Sequence, residues 1–350
     1  MKKGSLRLVT IREVAKLAGV SQSTASRAFT GSGYASPETR ERVLKAAKEL
    51  GYTPHAIARS LRLHKSKTIG LMIGDIINPF YAQLADGVLE KANQEGYQVI
   101  LSAHGEDPKR ERKTLELFLE QRVAGILAVA TGENIDLWNE VRKMGMKRVF
   151  IDRQIKGFFD DDCVLVDNVR GAYLMTKYLI QLGHRRIAII IGPPMTTTGE
   201  GRLNGYYQAM NEAHIPIDPE LVKVATFMRN SGRESIESFF DLENPPTALF
   251  TANNVLGEAA FLVIQQRGLS IPEDISLGIF DDVLWASLVT PSITVIYQPA
   301  FKMGSIGIQQ LLSSLQSDKD ENLKPVKVTI EPELIIRNSC RAINNRQDQV

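Results

Sequence analysis

The chain has 350 residues, with 42 Lys or Arg against 40 Asp or Glu and two cysteines. Two cysteines give no disulfide scaffold, no apolar run approaches the about 18 residues of a membrane span, and MKKGSLRLVTIREV lacks the apolar core of a secretory signal. A cytoplasmic protein with no membrane partner is expected.

The near-neutral total hides a polarity. Residues 1–67 hold 14 basic and 4 acidic residues, a formal +10, so residues 68–350 carry −8 within the overall +2. A basic head on an acidic body suits a segment that approaches phosphates.

From the N terminus, Thr10 can cap a first helix, in which Ile11, Val14, Ala15 and Ala18 recur on one face before Gly19 ends it. Ser21 can cap a second, with Thr24, Ala25, Ala28 and Phe29 inward and Gln22, Ser23, Ser26 and Arg27 outward. Ser36, followed by Pro37 and Glu38, starts a third, whose Val43, Leu44, Ala47 and Leu50 complete a small core before Gly51. Three short helices with a tight turn between the first two form a helix-turn-helix, whose second helix enters the major groove. The run SQSTASRAFTGSG then has a reason, because a helix lying in a groove about 12 Å wide carries little bulk on its outer face. PHAIARSLRL, residues 54–63, forms a further short helix opened by Pro54, with Ala56, Ala58 and Leu61 but little else to bury. Alone it is marginal in water and needs a partner. The polar stretch 64–67 sets a boundary near residue 67.

The body alternates short apolar strands with helices. TIGLMIG, YQVILSA, AGILAVA and KRVFID are separated by helices near 82–94, 110–121 and 135–144. RRIAIIIG, LVKVAT, TALFTA and ISLGIF follow, with helices near 170–181, 202–213, 232–240 and 255–267. Two such series imply two α/β lobes, with a ligand held between them beyond the carboxyl ends of the strands. Polar residues at those ends are the candidates: Asp75, Asp152, Asn253, Asn254, Asp281 and Asp282, with Arg202 opening a helix. Asp282 is expected to cap the helix near Val283, and Trp285 to stack on a ring or to anchor that helix. The run 160–162 reads as a solvated turn, and His184 has no second His or Cys in metal-binding pattern. No metal, cofactor or catalytic nucleophile is expected.

Residues 10–62, from TIREVAKLAGVSQSTASR through GYTP to AIARSLR, resemble the DNA-binding head and hinge of the LacI/GalR family of bacterial transcription repressors. LGHRRIAIIIG, GRLNGY, SLGIFDD and SITVIYQP resemble the periplasmic-binding-protein-like effector domain of the same family. The resemblance implies an all-α helix-turn-helix head with hinge helix, joined to a two-lobed α/β periplasmic-binding-protein-like domain. The expected divisions are 1–53 for the head, 54–67 for hinge and linker, 68–340 for the effector domain and 341–350 for a polar tail.

In the head, the resemblance places Gln22 and Ser23 on base edges and Arg27 on a base or a phosphate, within a DNA-binding set that includes Thr10, Ser21 and Thr24. Paired hinge helices, with Ala58, would enter the minor groove of double-stranded operator DNA and wedge Leu61 into a central base step. In the body, Phe80, Asp152, Arg202, Asn254 and Asp281 would line the effector cleft, beside the candidates Asp75 and Trp285. The family often has Asp where Asn254 stands. The chain would cross between lobes three times, near CVLVD before the helix near 170, near TVIYQP, and in the segment that returns to VKVTIEPELIIR after the helix around 304–315. A tail without a leucine repeat points to a homodimer. The expected function is a repressor controlled by a small sugar or sugar acid, with control by a purine or a phosphorylated carrier protein as alternatives. A sugar-binding protein without a DNA role is a more distant alternative.

Overall fold

The computed structural model describes residues 9–30, 34–52, 66–158, 160–228, 231–316 and 324–343. Ala58, Leu61 and the hinge segment around them lie outside the described residues. The chain separates into two compact units, Met1–Lys67 and Thr68–Val350.

Among its described residues the first unit holds three helices, α1 (Ile11–Leu17), α2 (Gln22–Thr30) and α3 (Pro37–Leu50). Short polar side chains start each one. Glu13 reaches back to the Thr10 backbone N–H at 2.8 Å, Ser21 Oγ accepts from Thr24 N at 3.1 Å, and Ser36 Oγ accepts from Thr39 N at 3.2 Å. Gly51 ends α3 with φ 65°, a left-handed cap that glycine adopts without penalty. Val14, Ala15, Ala18, Ala25, Ala28, Val43, Ala46 and Ala47 form the core, with Phe29 and Tyr52 packed against it. Leu44 departs from the expectation: it is 46% exposed, because the buried face of α3 runs through 43, 46, 47 and 50 and leaves 44 a full step of the helix away.

The second unit has two six-stranded sheets. In lobe 1, β1 (Thr68–Ile73), β2 (Gln98–Ala103), β3 (Gly125–Ala128), β4 (Lys147–Ile151), β5 (Asp162–Val166) and β11 (Lys327–Ile330) lie in the order β2-β1-β3-β4-β5-β11, all parallel. Lobe 2 repeats the plan. Its β6 (Ile187–Ile191), β7 (Val222–Val224), β8 (Ala248–Thr251), β9 (Ser276–Phe280), β10 (Thr294–Tyr297) and β12 (Glu333–Ile335) run β7-β6-β8-β9-β10-β12, with only β12 antiparallel. The central strands β3, β6, β8 and β9 are buried throughout, as parallel sheets covered on both faces require, while the edge strands β2, β7, β11 and β12 are partly exposed.

Lobe 1 carries helices α4 (Pro79–Gln94), α5 (Pro108–Glu120) and α6 (Ile135–Lys143); lobe 2 carries α7 (Asn168–Gln181), α8 (Thr197–Glu212), α9 (Arg233–Phe240), α10 (Asn254–Gln266) and α11 (Leu284–Leu288). After β10 the chain returns to lobe 1 as α12 (Ala300–Gln316), which packs on α4. A Cβ at Gly304 would lie 2.1 Å from the Leu84 carbonyl oxygen, so only glycine allows this approach of the two backbones. The chain therefore passes between lobes at three places: β5 to α7, β10 to α12, and β11 to β12. Among the described residues no helix is long and apolar enough to cross a membrane.

Two local expectations are corrected. Arg202 does not open its helix: Thr196 caps α8 by accepting from Gly199 N at 3.1 Å, placing Arg202 more than a turn inside. The 160–162 run is not simply solvated, since Asp161 is buried and paired with Arg142 and Arg148.

Candidate functional site

In the head, Gln22, Ser23 and Arg27 are exposed along α2, Thr24 and Ser26 are half-buried, and Ala25 and Ala28 are buried beneath them. Thr24 is held by Ser21, whose hydroxyl lies 2.8 Å from both the Thr24 and Ser23 hydroxyls. Thr10 is exposed at the start of α1. The second helix thus offers one amide, small hydroxyls and one guanidinium, groups able to pair with base edges and phosphates.

In the body, residues from the carboxyl ends of both sheets meet around a cleft of about 250 Å3 including its mouth, lined by Asn78, Phe80, Tyr81, Asp152, Thr198, Arg202, Phe227, Asn253, Asp281 and Gln298. Asp281 is buried after β9. One of its oxygens accepts from the Asn254 backbone N–H at 3.2 Å and from Asn254 Nδ2 at 2.8 Å; the other accepts from Gln298 Nε2. Gln298 Oε1 is buried and finds no hydrogen-bond partner among the described residues. Arg202 is 3% exposed and lies with its guanidinium carbon 3.8 Å from the centre of the Phe280 ring. Its Nε donates to Asn168 Oδ1 at 2.8 Å and one Nη donates to the Ala252 carbonyl, so it is not paired with Asp281. Burial pulls this guanidinium below the usual arginine range, and Asp281 and Asp152 offset part of that pull.

Asp152, on the lobe 1 side, is held by a chain of polar groups. The Tyr81 hydroxyl lies 3.3 Å from Asp152 Oδ2 and accepts from Arg153 Nη2 at 2.8 Å, while Arg153 forks onto Glu106 at 2.8 and 2.6 Å. Burial raises the Asp152 carboxyl above its ordinary range, against the pull of Arg153 and Arg202. Glu106 is held below its range because Arg153 outweighs the effect of burial. Phe227 of lobe 2 covers Arg153, with 5.7 Å from the guanidinium carbon to the ring centre. Gly192 makes this possible, since a Cβ there would lie 1.9 Å from the Phe227 ring.

Of the residues read from sequence, the fold brings Phe80, Asp152, Arg202 and Asp281 together in the cleft lining. Asn254 stands behind the lining and Asn253 within it. Asp75 lies in a turn, accepting from Ile77 N at 3.0 Å, and Trp285 packs 6.0 Å from the Phe261 ring; neither lines the cleft. Asp282 does not cap α11, whose N-cap is Val283; it pairs with Arg337 at 2.7 Å. Tyr81, Glu106, Arg153, Phe227 and Gln298 were not foreseen. Arg153 and Gln298 follow strands in FIDRQ and IYQP and are legible by the same rule that found Asp152, whereas Phe227 sits in a loop with no local signal.

The profile of bacterial regulatory proteins of the lacI family matches residues 10–55, and that of a periplasmic binding protein-like domain matches residues 176–340. The HTH-type transcriptional regulator DegA of Bacillus subtilis is 35% identical over 96% of this chain and 99% of its own. The chain belongs to the LacI family. The HTH-type transcriptional repressor PurR of Haemophilus influenzae is 34% identical over 96% of this LacI-family chain and all of its own. Among solved structures, a complex of the transcriptional regulator CelR with cellobiose aligns with TM-score 0.72 and 30% identity, covering 95% of this chain and 99% of that one. A lac repressor dimer bound to operator and the anti-inducer ONPF aligns with TM-score 0.81 and 25% identity, covering 96% and 100%. As a LacI-family protein the chain is a ligand-responsive DNA-binding regulator and not an enzyme.

Proposed function

We propose that this LacI-family protein is a cytoplasmic repressor that binds a partly palindromic operator as a homodimer, its DNA affinity set by a small hydroxyl-rich molecule held between the lobes, a sugar ahead of a sugar acid. The observation that carries the ligand class is the surplus of acceptors in the cleft. Asp152 and Asp281 present carboxylates and Gln298 an unpaired carbonyl, whereas Arg202 has two N–H groups spent on Asn168 and Ala252, and Arg153, outside the lining, forks onto Glu106 with its Nε turned to Asp152 at 3.7 Å. Hydroxyl donors satisfy such a site; a ligand carboxylate would meet two carboxylates and one partly engaged guanidinium. The CelR–cellobiose complex supports a sugar.

The DNA role rests on the head's charge and on the exposed Gln22, Ser23 and Arg27; on the same reading the hinge residues Ala58 and Leu61 would enter the minor groove. The lac repressor dimer on its operator supports a two-fold arrangement. Asn168 lies at one lobe crossing and holds Arg202, and Gln298 lies at another and holds Asp281, so ligand contacts bear directly on the hinge. A purine is the second reading, favoured by the Phe80 and Phe227 rings in the lining and by the similarity to PurR.

A thermal-shift screen of the full chain against monosaccharides, cellobiose, aldonic acids, phosphosugars and purines tests this, because a ligand of the folded cleft raises the unfolding temperature. Stabilisation by purines alone overturns the sugar reading, and stabilisation by none of them favours a carrier protein.

A further inference from the structure

Asn254 is 2% exposed, opens α10 and donates both hydrogens of one amide to acceptors in different lobes. Nδ2 lies 2.8 Å from Asp281 Oδ2 in lobe 2 and 2.9 Å from Asn78 Oδ1 in lobe 1. Neither partner leaves the orientation open. Asp281 as a carboxylate only accepts, and Asn78 Oδ1 is fixed as an acceptor because it also receives the Phe80 N–H at 3.0 Å as the cap of α4.

Two further polar ties across the cleft, among the described residues, differ in kind. The Gln154 backbone N–H donates to Thr197 Oγ1 at 3.1 Å, and Lys156 pairs with Glu200 at 3.1 Å with side chains 51% and 47% exposed. Such an exposed pair contributes little. The Asn78–Asn254 bond is buried at both ends, where a hydrogen bond is stronger and a lost partner more costly. With these ties in place the cleft encloses only about 20 Å3 of free space, far below the usual span of small-molecule sites, so a ligand needs the lobes to part.

We propose that Asn254 is a positioning residue that latches the two lobes through Asn78 while aiming Asp281 with the same amide, and so sets how readily the cleft opens. An aspartate at 254 would put a carboxylate against Asp281 and remove the donor to Asn78. Opening would then follow without any change in the groups that line the cleft. The latch also keeps the apo protein partly closed, so a ligand shifts an existing equilibrium between two lobe arrangements.

The test uses the full chain with neither operator nor effector, so its outcome is separate from that of the function proposed above. Spin labels replace Lys156 and Glu200 on either side of the cleft mouth, in a Cys163→Ala, Cys340→Ala background, and electron–electron resonance reads the distance between them. Asn78→Ser keeps the helix cap but is too short to meet Asn254, whereas Asn78→Asp keeps both cap and acceptor. Asn78→Ser is expected to shift the distribution to longer distances, with Asn78→Asp matching the parent. Asn254→Asp, whose carboxylate can donate neither to Asp281 nor to Asn78, is expected to open at pH 7.5. An Asn78→Ser distribution equal to the parent's, or an Asn78→Asp distribution as long as that of Asn78→Ser, overturns the latch. The two Asn78 variants decide the matter even if Asn254→Asp does not fold.

Discussion

Asp152 and Asp281 hold the same place in the two lobes. Each directly follows the fourth strand of its lobe, β4 or β9, and each has a left-handed backbone, with φ 69° and 82°. Aspartate tolerates this region better than bulkier residues, so the turn that ends the strand can also carry an acceptor. The cleft is therefore faced by one carboxylate from each sheet. Arg202, which feels both charges, sits with them in the lining and moderates their repulsion.

Replacing either carboxylate by its amide keeps the turn and removes the charge. Asp281→Asn and Asp152→Asn are each expected to weaken binding of the ligand found by the screen at least tenfold, about 1.4 kcal/mol, as read by calorimetry. Wild-type affinity in both variants would rule out recognition by acceptors.

The arginine does two jobs, and its removal should show both. Arg202→Ala is expected to abolish the ligand's effect on operator affinity while leaving ligand-free operator affinity near wild type. It should also lower the unfolding temperature, because Asn168 Oδ1 and the Ala252 carbonyl lose their donor, at about 1–3 kcal/mol for a buried group left unpaired. Arg202→Lys should not restore the response, since one ammonium cannot meet both acceptors and stack on Phe280. A mutant that responds at the wild-type ligand concentration removes Arg202 from the mechanism.

Periodicity made most of the fold legible. β6 reads as the unbroken IAIII of a strand covered on both faces, and α3 shows its Ser-Pro start and Gly stop; Leu44 failed by a single step because neighbours on a helix differ by about 100°. The start of α8 was missed because TTTGE contains weak helix formers, and only the Thr196 cap reveals it. Acceptors at strand ends were readable for Asp152 and Asp281, since position after a strand is a local property. The contact between Asn78 and Asn254 joins residues 176 apart in sequence, and Phe227 reaches the cleft from a loop. Neither leaves a periodic trace, because both depend on how two finished lobes meet.

Gly192 tests the placement of that loop. Gly192→Ala would set a Cβ 1.9 Å from the Phe227 ring, which must then leave its place in the lining and uncover Arg153. A change in ligand preference in the thermal-shift screen is expected, with operator affinity without ligand unchanged. An identical ligand ranking would show that Phe227 does not shape the site.

For the head, the expected losses differ by position. Gln22→Ala should relax discrimination at one base pair of each half-site by about 1–3 kcal/mol, whereas Arg27→Ala, if it meets phosphate, should weaken specific and random DNA alike and flatten the salt dependence. Leu61→Ala should cost more on the operator than on random DNA, because an inserted side chain pays only where the base step kinks. Competition binding at several salt concentrations separates these outcomes, and equal losses on both DNAs for Gln22→Ala would take it off the base edges.

His184 gives the body a pH dependence of its own. It is 1% exposed, its Nε2 donates to the Arg341 carbonyl at 3.2 Å, and its Nδ1 lies 2.9 Å from the Thr247 hydroxyl. Burial pushes its pKa down from 6.5 to about 4. In that interval the unfolded chain binds the proton and the folded chain does not, so the histidine's contribution is complete above 6.5 and is lost as the pH falls toward about 4. Glu106, whose carboxyl is held below its ordinary range by Arg153 despite burial, begins to give up its own contribution as the pH falls through that ordinary range and continues below it. Thermal unfolding between pH 7.5 and 4 should therefore show a falling midpoint in the wild type. His184→Gln should start lower, having lost well-fitted partners, and fall less steeply, so that the two curves converge near pH 4. Parallel curves would show that His184 is not the group whose protonation destabilises the fold.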